Sequence, residues 1–115
     1  MSYLQVDLEK LMKSLENNEY LLDVISKQFI DIWEDEFNSI LKDIKNEDYN
    51  SYRKTMYRLK GICLNFCIEN VVGTCRKLEN LESSNYLQES PHLVTRLKEE
   101  LEETARELLS ILEVK

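Results

Sequence analysis

The chain has 115 residues, a formal net charge of −7, two Gly and one Pro. That length suits one domain, predicted over 1–115, with enough chain to bury a core. The acidic balance argues against nucleic acid and anionic membrane surfaces as partners, because both attract basic faces, and the shortage of Gly and Pro argues against a many-turned sheet.

Taken in order, the apolar pattern predicts five helices and no strand. Leu4, Leu8, Leu11, Met12 and Leu15 recur at helical steps, giving a short amphipathic helix over about 3–16. It is expected to cap its own bundle rather than pack on a second chain. Asn17 and Asn18 close it and cap the next. The long helix over about 19–45 carries the stripe Leu22, Ile25, Phe29, Ile32, Trp33, Phe37, Ile40, Leu41 and Ile44. Asn46-Glu47-Asp48 reads as a cap followed by acids that suit a helix N-terminus. A third helix follows over about 48–66, then a bend near Cys67-Ile68-Glu69-Asn70. The fourth runs to about 82, with Val71, Val72, Cys75, Leu78 and Leu81 inward. Ser90-Pro91 reads as an N-cap followed by Pro at the first helical position. From there a last helix is predicted to about 113 on Leu93, Val94, Leu97, Leu101, Ala105, Leu108 and Ile111. Short connections between long amphipathic helices favour an all-α, antiparallel up-and-down four-helix bundle with an extra N-terminal helix.

No apolar run approaches the roughly 20 residues of a membrane span. Met1 to Asp7 lacks the basic and apolar regions of a signal peptide. Three cysteines without a disulfide-framework spacing then point to free thiols in a reducing, cytoplasmic setting.

At about 100° per residue, Tyr52, Met56, Leu59, Cys63 and Phe66 form one core-facing stripe of the third helix. Tyr57, Lys60, Gly61 and Leu64 share another side, with Arg53 one turn earlier, and this side is expected to be exposed. A helix-interior Gly costs up to about 1 kcal/mol against Ala. At Gly61, one turn after Tyr57, the missing side chain would let a partner approach the backbone.

The run Met56-Tyr57-Arg58-Leu59-Lys60-Gly61 through Asn65, with Cys75-Arg76-Lys77-Leu78-Glu79 further on, resembles the histidine-phosphotransfer (HPt) domain family. The resemblance covers about 18–113. Members carry His-x-x-Lys-Gly on an exposed helix face, and the His takes and gives a phosphoryl group. Here the His position falls on Tyr57. A phenol holds its proton at neutral pH, and its phosphate ester is too stable to return phosphate to an aspartate. Cys67 is a second departure, standing where many members have Gly. Ile62 and Leu64 are bulkier than the small residues often found after Lys-Gly.

The resemblance implies a pseudo-HPt module with no catalytic residue, no enzyme activity and no cofactor. Its partner would be a response-regulator receiver domain or a hybrid histidine kinase, bound as a monomer through Tyr57, Lys60, Gly61, Leu64 and Arg53. Two alternatives stand beside it. One is a working phosphotransfer protein whose His is replaced at position 57, since one base change turns a His codon into a Tyr codon. The other is a helical bundle with a purely structural interaction role.

His92, the single histidine, sits beside Pro91 without a following Lys-Gly and reads as a surface or half-packed residue. Cys63 and Cys67, four apart on one predicted face, read as core packing, because a metal site needs about four suitable ligands. No metal is therefore expected. Tyr20, Trp33, Tyr49 and Tyr52 read as core and core-edge packing. Glu34, Asp35 and Glu36, and likewise Glu99, Glu100, Glu102 and Glu103, read as acidic surfaces.

Overall fold

A computed structural model describes residues 3–114; the predicted domain limits 1 and 115 lie outside them. The elements are α1 (Leu8–Ser14), α2 (Glu19–Lys45), α3 (Tyr49–Leu64), α4 (Glu69–Glu79) and α5 (Tyr86–Val114), with no strand among the described residues. Three starts are fixed by side-chain caps. Asp7, Asn18 and Asp48 accept hydrogen bonds from the backbone N–H groups of Lys10, Leu21 and Ser51, satisfying donors that the first turn leaves orphaned.

α2 packs against α3 and α5, and α4 closes the ring by packing against the same two helices. The result is the predicted four-helix bundle, 46 × 21 × 21 Å, with α1 as the additional helix. Its core is Phe29, Trp33, Phe37 and Ile40 from α2, the Tyr52–Met56–Leu59–Cys63 stripe from α3, Val71, Cys75 and Leu78 from α4, and Leu97, Leu101 and Leu108 from α5. Each such side chain contributes roughly 1.5–3 kcal/mol by leaving water. At one end Tyr49, Tyr52 and Tyr86 form an aromatic cluster, their ring centroids 5.0–6.1 Å apart. The Tyr52 and Tyr49 hydroxyls donate to the carbonyls of Leu78 and Leu81, so the chain leaving α4 is pinned to α3.

Several sequence expectations are corrected. The first helix begins at Leu8, not near residue 3. Leu4 continues the periodic pattern yet is 78 % exposed, because the segment before Asp7 runs as a strap. The backbone N–H groups of Leu4, Gln5 and Val6 all donate to the Glu107 carboxylate. α1 itself does bury Leu11 in the chain's own core. α4 ends at Glu79 rather than 82.

α5 starts at Tyr86, so Ser90 is no N-cap but a buried residue in the second turn. Asn85 accepts from the N–H groups of Gln88 and Glu89, and Tyr86 anchors the first turn in the aromatic cluster. Pro91 removes the N–H that would reach the Leu87 carbonyl, and Leu87 is an exposed position. On α2, Ile32 and Leu41 are exposed rather than part of the core stripe, and so is Tyr20. Glu100 is buried, not surface, and accepts a hydrogen bond from Thr74.

Candidate functional site

α3 presents two unlike faces. Tyr52, Met56, Leu59 and Cys63 are buried and hold the helix rigidly against α2 and α4. On the outward side Tyr57 is 66 % and Leu64 49 % exposed, and Arg53 and Gly61 are exposed as well. A Cβ built on Gly61 would meet no atom within 4 Å, so the backbone there is open to an approaching surface.

Lys60 is the half-buried member of this face. Its Nζ lies 5.0 Å from the centroid of the Tyr57 ring, within cation–π range. The same nitrogen makes a 2.7 Å ion pair with Glu79 of α4. Tyr57 and Lys60 are thus brought into contact, while Arg53, Gly61 and Leu64 share their face by helical spacing. The Glu79 partner was not assigned from sequence. It lies in the second quoted motif, but pairing between two helices has no spacing rule to reveal it.

α3 is a basic helix on an acidic protein. α3 carries Arg53, Lys54, Arg58 and Lys60 and no Asp or Glu. Arg58 is bound by Glu36 of α2 at 2.8 Å, and this pair raises the guanidinium pKa. Arg53 and Lys54 are exposed and have no ion-pair partner among the described residues.

Cys67 does not share a helix face with Cys63. It lies beyond the end of α3, in the turn before α4, with φ 55°. Only Gly adopts that left-handed conformation without a Cβ penalty, which gives the family's preference for Gly at this place a backbone cause. Cys63 and Cys75 are instead free thiols buried in the core, and the neighbouring Cys75 thiol and then burial push the Cys63 pKa up. No three His, Cys, Asp or Glu side chains among the described residues are grouped to hold a metal ion. His92 is exposed on α5, which packs on α2 and α4 rather than beside Tyr57. No described helix is long and apolar enough to cross a membrane.

Four antiparallel helices packed in a ring, with the short α1 as a fifth, form an all-helical bundle. The Hpt domain family model matches residues 24–107, and the chain belongs to that family. The crystal structure of histidine-containing phosphotransfer protein B (HptB) from Pseudomonas aeruginosa PAO1 superposes with a TM-score of 0.88 at 21 % identity, covering 99 % of each chain. At that identity the likeness concerns the fold. No curated protein sequence matches the chain. Hpt domains act in two-component phosphorelays as carriers of a phosphoryl group rather than as enzymes, and they interact there with response regulators and kinases.

Proposed function

We propose that this chain is a pseudo-HPt module: a single domain that docks a receiver domain, or a hybrid histidine kinase, without carrying the phosphoryl group. The observation that carries this reading is Tyr57. It stands exposed at the centre of the α3 face, one turn before Gly61 and against Lys60, where the family resemblance places the transferring His. Its phenol can make contacts at an interface, where exposed Tyr is enriched, but it offers no labile N–P bond. The module then acts by occupying or modulating its partner. It works as a cytoplasmic monomer and not as an enzyme, using Tyr57, Lys60, Gly61, Leu64 and Arg53 as contacts.

One observation favours the alternative of a transfer protein with a replaced His. Gly61 keeps the open backbone beside position 57 that a transferring site would use. Two experiments separate the readings. NMR titration with receiver domains of the source organism should give saturable shifts centred on Tyr57, Lys60 and Gly61, whereas silence with every receiver would leave only a structural bundle. Incubation with phosphorylated receiver should leave the wild type unlabelled. Acid-labile label on Tyr57→His, together with normal receiver affinity, would favour recent loss of a working site.

A further inference from the structure

Next to the α3 face the chain folds a groove that none of the docking residues but Leu64 enters. It lies at the end of α3 and the turn into α4, with a volume of about 480 Å³, inside the roughly 300–1,000 Å³ range of clefts that hold ligands. Leu64, Ile68 and Val72 give it an apolar floor, and Cys67 stands at the turn. Half-exposed Leu64 belongs to both surfaces, so groove and face are continuous. The rim is charged. Lys10 of α1 and Glu69 of α4 pair with each other at 2.9 Å. Arg76, also on the rim, is exposed and has no ion-pair partner among the described residues. An apolar floor therefore lies beside one uncompensated positive charge.

We propose that this groove is a second subsite of the docking face: it takes an apolar side chain of the receiver domain, with a neighbouring carboxylate paired to Arg76. The inference rests on the reading that the α3 face docks a receiver. Apolar anchors seated in pockets carry much of the energy of protein interfaces. A rim charge selects the partner and speeds its encounter. The α3 face alone offers two large exposed hydrophobic side chains, Tyr57 and Leu64. The groove adds the concave element they lack, and Val72 and Arg76 become specificity residues on α4.

Cys67 is a built-in reporter, because it is partly exposed while Cys63 and Cys75 are buried. The wild-type chain is alkylated with N-ethylmaleimide, with and without saturating receiver domain, and the Cys67 adduct is followed by mass spectrometry. Affinities are measured in parallel for wild type, Arg76→Glu and Gly61→Arg. A binding receiver is expected to slow Cys67 alkylation several-fold, and Arg76→Glu to weaken binding about tenfold. Arg76→Gln, which removes charge without reversing it, is expected to give a smaller loss and keeps the test valid if the reversal disturbs the fold. A receiver that binds wild type and fails on Gly61→Arg, yet leaves Cys67 alkylation and the Arg76 variants unchanged, overturns the groove and leaves the docking reading standing. Absence of binding by every receiver removes both.

Discussion

Lys60 and Glu79 meet at 2.7 Å and tie α3 to α4 beside the Tyr57 ring. Their side chains are 19 % and 14 % exposed, so solvent screens this pair less than an ordinary surface pair. Glu79→Ala leaves an ammonium half-buried and unpaired. The expected cost is about 1–2 kcal/mol, between the values for exposed and for buried pairs. The midpoint of urea unfolding reads it. Lys10→Ala, which removes the solvent-exposed Lys10–Glu69 pair, is the control and should leave that midpoint unmoved.

The α3 faces were legible in the sequence because 3.6-residue periodicity alone separates Met56 and Cys63 from Tyr57 and Leu64. Leu4 shows where periodicity misleads. It extends the series of Leu8 and Leu11, but Asp7 caps the helix and Glu107, some hundred residues on, captures the strap amides. Ser90-Pro91 is a sound local start signal, overridden by the packing of Tyr86 on Tyr49 and Tyr52. Glu100 looks like surface in a run of acids until Thr74 of α4 supplies its donor. The misses at Leu4, Ser90 and Glu100 each turn on a contact between residues far apart in the chain.

Three of the short connections turn through left-handed residues that are not glycine: Glu16 and Asn17, Glu47, and Cys67. An L-residue there costs roughly 1–2 kcal/mol, part of which glycine gives back through its freer unfolded chain. Cys67→Gly and Glu47→Gly are each expected to stabilise the fold by about 0.5–1 kcal/mol. A higher urea midpoint in both variants is the outcome to look for. A lower midpoint in Cys67→Gly would mean that the thiol's own packing outweighs the backbone gain.

Gly61 separates stability from docking. Nothing stands within 4 Å of a Cβ placed there, and the residue is helical. Gly61→Ala should therefore stabilise by about 0.5–1 kcal/mol through helix propensity. Gly61→Arg should fold as well, yet lose receiver binding, because its side chain fills the space before the backbone. Thermal melts and receiver titrations of the two variants read the two effects independently. Stable variants that both bind as wild type would place the interface elsewhere.

Glu107 holds the N-terminal strap through three successive backbone N–H groups while being only 4 % exposed. Burial raises its pKa; the strap hydrogen bonds pull the other way, and neighbouring Glu103 adds to the rise. A raised folded-state pKa means that the group's contribution is fully present below the unfolded value, near 4.5, and is lost as pH rises through the folded value. Glu103, lowered by its hydrogen bond to Arg106, acts oppositely, losing its contribution only as pH falls below the ordinary range. As pH falls through the raised folded-state value towards 4.5 the Glu107 contribution therefore grows. The melting temperature of the wild type is expected to rise relative to Glu107→Gln over that window. The amide in Glu107→Gln turns a donor towards at least one strap N–H, an unmet bond worth about 1–3 kcal/mol. Hydrogen exchange at Leu4, Gln5 and Val6 should accelerate in that variant while the α3 amides keep their protection. Unchanged exchange at the three strap amides would show that the strap is held by Val6 and Leu11 packing rather than by the carboxylate.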